Sequence, residues 1–303
     1  MAAPRPYDGK LGIVTGGSRG IGAAVAVRLA AKGCNLLLAF TSDSSKDMAN
    51  QLCQRLSSSY NISCTSVQAD LANAAAASAT IVEAAKAFFQ SYNKKDTFQI
   101  DILINNAGVA SNQVLNDPKK GPILESEFTR VYAVNVLAPL LLTQAVAPYL
   151  PTNRSGRIVN VSSVSSSIGY PGQSVYAGSK AALEAQTRTW SRELAERATV
   201  NAVNPGPAWG DMYAEVGESF WKINQPYVDA APLSAYDGED NVLAMAGDDA
   251  QRFDKIVRES MGGKRPGFTS EIAGTIDMLC SVESGWTTGS VICANGGMKM
   301  SIA

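Results

Sequence analysis

Lys10-Leu11-Gly12-Ile13-Val14-Thr15-Gly16-Gly17-Ser18-Arg19-Gly20-Ile21-Gly22 is the stretch on which the fold turns. Lys10 to Thr15 is a short apolar run ending in a glycine cluster, which reads as a buried strand. From Gly22 to Lys32, Val25 and Leu29 share one helical stripe, and Gly33 stands where a C-terminal cap glycine belongs. The glycines between strand and helix are spaced GxxxGxG. They let the backbone approach a pyrophosphate, and the helix N-terminus behind them offers free N–H groups and a positive dipole end.

The same alternation continues outward. Leu36 to Phe40, Ile62 to Ala69, Ile100 to Asn105, Gly156 to Val161, Val200 to Asn204 and Val291 to Ala294 read as further strands. Between them lie helical stretches at Lys46 to Leu56, Ala74 to Gln90, Glu125 to Tyr149 and Val175 to Ala195. Apolar strands alternating with long helices imply α/β architecture: a parallel sheet of about seven strands, doubly wound, with helices on both faces. No linker or internal repeat divides residues 1–303, so one domain is expected, with an extended insert at about 208–266.

Composition removes whole classes of chemistry. The chain has no histidine, which excludes Ser-His-Asp triads, Cys-His pairs and HExxH zinc sites together. Its five cysteines have no CxxC spacing, so buried thiols are expected and no metal site. A formal net charge of −1 without charge blocks gives no handle for nucleic acid. No apolar run reaches the roughly 18 residues that cross a bilayer, and Met1 to Lys10 lacks a signal-peptide core; a cytoplasmic protein with no membrane partner is expected.

Proton chemistry must then run on Tyr, Lys, Asp, Glu or Cys. Tyr176 and Lys180 form YxxxK on a helix, which puts both side chains on one face. An ammonium beside a phenol favours the phenolate and lowers the Tyr pKa toward the range of a general acid/base. Ser163 ends a strand 13 residues before Tyr176. Asn105-Asn106-Ala107-Gly108 ends another, Asn135 is an amide among apolar helix residues, and Asn204-Pro205-Gly206-Pro207 ends the sixth strand. The C-terminal strand ends of an open parallel sheet are where ligands bind.

With these motifs in this order, the sequence resembles the short-chain dehydrogenase/reductase family over nearly its whole length, and within it the fungal and bacterial ketoreductases of polyketide-type or acyl ketones. The resemblance implies a Rossmann fold and hydride transfer between a nicotinamide cofactor and a fairly large, natural-product-like ketone or secondary alcohol. By position, Tyr176 is the implied proton donor, Ser163 orients the carbonyl oxygen, Lys180 binds the nicotinamide ribose, and Asn135 holds a relay water. Gly16, Ser18, Arg19, Gly20, Ile21 and Gly22 are the implied pyrophosphate turn. Asp70 and Leu71 meet the adenine, and Asn106, Ala107, Gly108, Pro205, Gly206 and Ala208 line the rest of the cofactor. One departure is plain: the Thr that the family places after the Pro-Gly pair is missing from Pro207-Ala208-Trp209-Gly210-Asp211, so either a backbone group or Asp211 takes its place at the carboxamide, or nicotinamide is held less tightly.

The second strand ends in Ala39-Phe40-Thr41-Ser42, with hydroxyls rather than the acid that would repel a 2′-phosphate, and Arg19 can reach one; NADP(H) is the expected cofactor. The insert is rich in aromatics. Trp209, Tyr213 and Trp221 are read as the wall of a lid over a large carbonyl substrate, with Ala235 to Asp249 as a mobile connection. Apolar Leu137, Leu141, Ala182 and Ala185 point to a homo-oligomer; the resemblance implies that these helices pair across subunits, in a tetramer or dimer. Two other readings stay open: a cofactor-binding protein without redox chemistry, and a non-redox cyclase or lyase using the same pocket. A hydrolase is disfavoured: GxSxG is absent, and Ser219-to-Lys222 fits SxxK without its companion motifs.

Overall fold

The computed structural model describes residues 5–93, 97–210, 213 and 217–300. Nine strands are described: β1 (Leu11–Thr15), β2 (Asn35–Phe40), β3 (Cys64–Gln68), β4 (Ile102–Asn105), β5 (Gly156–Val161), β6 (Ala198–Pro205), β7 (Ala208–Trp209), β8 (Gly267–Phe268) and β9 (Val291–Ala294). The helices are α1 (Gly20–Ala31), α2 (Lys46–Tyr60), α3 (Ala74–Tyr92), α4 (Glu125–Tyr132), α5 (Ala138–Val146), α6 (Ser165–Ile168), α7 (Ser174–Glu193), α8 (Glu218–Asp229), α9 (Asp240–Ala246), α10 (Ala250–Ser260) and α11 (Thr269–Cys280).

Seven strands form one parallel sheet in the order β3-β2-β1-β4-β5-β6-β9. Alternate residues of each strand feed opposite faces, as the pleat requires. Leu11, Ile13, Leu37, Leu103 and Ile158 pack under α3, α5 and α7, while Val14, Leu36, Leu38, Ile104 and Val159 pack under α1, α2 and α11. The chain winds outward from β1 to β3 and then returns to β4 beside β1. That reversal opens a crevice at the C-terminal ends of β1 and β4, where the binding motifs converge.

Two expectations change here. Glu125 to Tyr149 is not one regular helix: α4 and α5 are joined by a π-helical turn, Ala133–Leu137, with Asn135 at its middle. An inserted turn of this kind moves one residue out of the helical register and is common at functional sites. By length and composition this 25-residue stretch, mean hydropathy 1.5, is apolar enough to cross a membrane, which corrects the expectation that no apolar run is that long. Its inner residues Val134, Ala138, Leu142 and Val146 are buried in the core beside the sheet.

The insert is also different. Ala235 to Asp249 is not a bare connection, because it contains α9 and a following single 3-10 turn. Trp209, Tyr213 and Trp221 do not present a wall to solvent. They are 4%, 8% and 6% exposed and pack with Tyr236, Phe253, Val257 and Phe268 into a third hydrophobic cluster. Phe253 lies edge-on to Trp209 at 5.0 Å between centroids, and the indole N–H groups of Trp209 and Trp221 donate to Asp249 and to the Tyr213 carbonyl. With β7 paired to β8, the insert folds around its own aromatic core. Trp221→Ala should therefore cost about 3 kcal/mol or more of unfolding free energy, as large-to-small changes in cores do. In denaturant melts a marked loss is expected, with no preferential rise in KM for bulky ketones. Unchanged stability with a size-dependent KM would restore the lid reading.

Candidate active site

The glycine turn is built by contact. A Cβ on Gly22 would come within 2.2 Å of the Gly16 carbonyl oxygen, so only glycine lets α1 start this close to the turn. Gly20 has φ +60, which glycine adopts without strain, and a Cβ there would meet open space. No side chain caps the first turn of α1, whose N-cap is Arg19. An uncapped helix N-terminus facing open space suits a pyrophosphate. Ser18 and Ile21 flank the turn half-buried, and Arg19 is exposed, with no acidic partner among the described residues.

The turn is tied to β4 by Asn106, whose Nδ2 donates to the carbonyls of Thr15 (2.8 Å) and Gly16 (3.1 Å). Thr15 Oγ1 accepts from the backbone N–H groups of Asn106 and Ala107. Asn106 thus builds the turn rather than offering its amide to a ligand. Gly108 then passes against Lys180 and Asn135. Thr41 and Ser42 are exposed at the end of β2, and Ser42 Oγ bonds Ser44. Asp70 caps the short turn that begins at the buried Leu71, accepting from the Ala72 N–H.

Asn135 is fully buried and well engaged. Its Nδ2 donates to the Val109 carbonyl (2.9 Å) and Ser179 Oγ (3.0 Å), and its Oδ1 accepts from the Val109 N–H (2.8 Å). The side chain is a clamp holding the loop after β4 to α7.

Tyr176 is half-buried on the first turns of α7. Burial pushes its phenol up, and a hydrogen bond with Ser163 pulls the other way. Ser163 Oγ also donates to Ser165 Oγ and accepts the Ser165 N–H, which fixes it at the end of β5. Lys180 is 3% exposed, and its Nζ donates to the Val161 carbonyl at 2.8 Å. Its ammonium lies 5.7 Å from the Tyr176 ring centroid. Burial lowers the Lys180 ammonium to about 8, partly offset by Glu184. The expectation of a phenol lowered by its lysine is thus not met in the protein alone. Burial dominates, and Ser163 supplies the opposing hydrogen bond.

On the far side, the Pro205 carbonyl accepts the Val164 N–H at 2.9 Å, joining the end of β6 to the serine loop. The Gly206 N–H bonds the Ala294 carbonyl. Ala208 begins β7, and Asp211 lies outside the described residues. Among the described residues no cluster of His, Cys, Asp or Glu could hold a metal ion.

One continuous cradle results: glycine turn, Asn106, Gly108, then Lys180 and Tyr176. Residues 10–220 match the family model of the short chain dehydrogenases. The chain belongs to that family. It is 72% identical over 302 residues to an L-xylo-3-hexulose reductase of Hypocrea jecorina, covering 99% of each chain. It is 57% identical over 298 residues to an L-xylulose reductase of Aspergillus niger, covering 97% of this chain and 99% of that one. Among solved structures, a blue fluorescent protein from a metagenomic library, in complex with NADPH, superposes with a TM-score of 0.76 at 29% identity, covering 97% and 100%. The resemblance to ketoreductases extends to a 3-oxoacyl-[acyl-carrier-protein] reductase of Aquifex aeolicus, 32% identical over 96% of this chain and 98% of that one, but a large polyketide-type substrate is not supported. The high-identity relatives act on sugars.

Sequence reasoning missed Glu184. Its Oε1 accepts from Ser162 Oγ at 2.6 Å, Ser166 Oγ at 2.7 Å and Asn204 Nδ2 at 3.2 Å. Its place one helical turn after Lys180, on the same face, was the available signal.

Proposed function

We propose that this NAD(P)-dependent oxidoreductase reduces the keto group of a small polyhydroxylated ketose, of the L-xylulose or L-xylo-3-hexulose class, using NADPH. The observation that carries the substrate class is the 72% identity, over essentially the full chain, to a hexulose reductase. A small substrate also accords with the insert's aromatics being turned into its own core.

The residues present fit the cofactor. The uncapped turn of α1 would take the pyrophosphate, and Arg19 with Thr41 and Ser42 would take the 2′-phosphate. Asp70 and Leu71 would border the adenine, and Lys180 the nicotinamide ribose. The cofactor supplies a hydride to the carbonyl carbon. Ser163 Oγ donates a hydrogen bond to the carbonyl oxygen and holds it against Tyr176. Tyr176 gives that oxygen its phenolic proton as the hydride arrives, leaving a phenolate beside the Lys180 ammonium. Solvent then restores the proton. Asn135 holds the loop after β4 in place, so the ammonium keeps its seat between Gly108 and Val161. In an excluded site such preset charges need no reorganisation during the reaction.

Arg19→Ala should raise KM for NADPH by about tenfold or more and leave KM for NADH nearly unchanged, the loss expected of a charge-assisted hydrogen bond. Equal effects on both cofactors, or a wild type that prefers NADH, would remove the 2′-phosphate role. The exposed Phe128 and Leu137 along α4 and the π-helical turn support the further proposal of a homo-oligomer.

Steady-state NADPH consumption with a panel of ketones tests the substrate class. Small ketoses should be turned over with kcat/KM well above that for polycyclic ketones. The reverse ranking would refute the sugar reading.

A further inference from the structure

We propose that Glu184 is a positioning residue for the reaction: its carboxylate fastens the ends of β5 and β6 to α7 and sets an anion one helical turn from Lys180, on the same face of that helix. The proposal rests on the role given above to Lys180.

A single carboxylate oxygen gathers three donors from three separate elements. Ser162 comes from the end of β5, directly before Ser163; Ser166 comes from α6; Asn204 comes from the end of β6, directly before the Pro205-Gly206 turn. Ser162 Oγ also reaches the Lys180 carbonyl at 3.3 Å. The loop carrying Ser163 and the turn beside the nicotinamide are therefore hung on the helix that carries Tyr176 and Lys180. Serine hydroxyls and an amide at 2.6–3.2 Å are hydrogen bonds to an ionised acceptor, stronger than their neutral counterparts.

Charge is the second half of the argument. Lys180 is almost wholly buried, and desolvation disfavours its ammonium. The elements packed against it contribute Gly108 and Asn135, both uncharged, and the Val161 carbonyl. Its own helix contributes the phenol of Tyr176 and the carboxylate of Glu184. Glu184 is thus the anionic group that opposes desolvation. Without it the ammonium loses its proton at lower pH.

The test is the pH dependence of NADPH binding to the free protein, read by cofactor fluorescence. Affinity should fall as pH rises past about 8, where Lys180 deprotonates. In Glu184→Gln, which keeps size and loses charge, this alkaline limb should move about one unit toward acid, a tenfold change in the proton equilibrium. Glu184→Asp, which keeps the charge one methylene further back, should move less than half as far. A limb unmoved in Glu184→Gln, or moved equally in both variants, overturns the proposal and leaves Glu184 a structural brace. Should Glu184→Gln not fold, Glu184→Met, which also removes the charge, is read the same way: a limb displaced toward acid supports the charge role, and one at the wild-type position overturns it. Ketose turnover by the wild type, measured alongside, separates the two ideas. Its absence defeats the substrate reading and leaves the binding limb interpretable.

Discussion

Tyr176→Phe should leave NADPH binding largely intact and lower kcat by roughly 10²–10⁴-fold, the usual worth of a positioned general acid. The substitution removes one oxygen and keeps the ring. Ser163 would still orient the carbonyl, and hydride would still be available. What goes is the proton that must meet the developing alkoxide. KM for the ketose should change little, because the phenol's contribution is larger in the transition state than in the ground state. Near-wild-type turnover would show that another group donates the proton. With no histidine in the chain, that group would have to be Lys180 or water.

Lys180→Ala should behave differently, since one side chain is assigned two tasks. The ammonium sits at 2.8 Å from the Val161 carbonyl and within reach of the crevice past Gly108. Removing it would delete the charge-assisted hydrogen bond, about 1.5–3 kcal/mol, that it is proposed to give the cofactor's ribose. It also leaves the Tyr176 phenolate without a neighbouring cation. Cofactor Kd should rise about tenfold or more, and kcat/KM should fall by roughly 10³-fold, beyond the binding loss. A variant that loses rate with an unchanged cofactor Kd would strip Lys180 of its ribose role.

Much of this was legible before any coordinates. β1, the glycine turn and α1 announce themselves because strand, turn and helix each carry a local physical signature. The alternation of apolar runs with long helices then leaves few ways to build the sheet. The four polar candidates were legible on other grounds: Asn135 as an amide among apolar helix residues, Ser163 at a strand end, Tyr176 and Lys180 by their YxxxK spacing, with their roles implied by the family resemblance.

What stayed hidden depends on contacts distant in sequence. Nothing local says that Asn135 closes on Val109, or that a π-helical turn carries it. The three partners of Glu184 lie on β5, α6 and β6, and only folding brings them together. The aromatics of the insert misled because composition cannot say which way a ring points. Trp209, Tyr213 and Trp221 suit a pocket wall and a core equally well, and Phe253 at the centre of their cluster decides for the core. The substrate class was out of reach for a related reason: the motifs that make the reductase are shared by enzymes acting on very different ketones.

The most direct test of the whole account follows the hydride itself. L-Xylulose is incubated with the protein and NADPH that carries deuterium on its transferring carbon, and the product is weighed by mass spectrometry. The account predicts one polyol per NADPH consumed, one deuterium heavier, with the label on the former carbonyl carbon. It also predicts at least a hundredfold less of that product with Tyr176→Phe over the same interval. An isomerised, cyclised or dehydrated sugar without deuterium, with NADPH left unconsumed, would contradict it and make this chain a non-redox user of the same pocket.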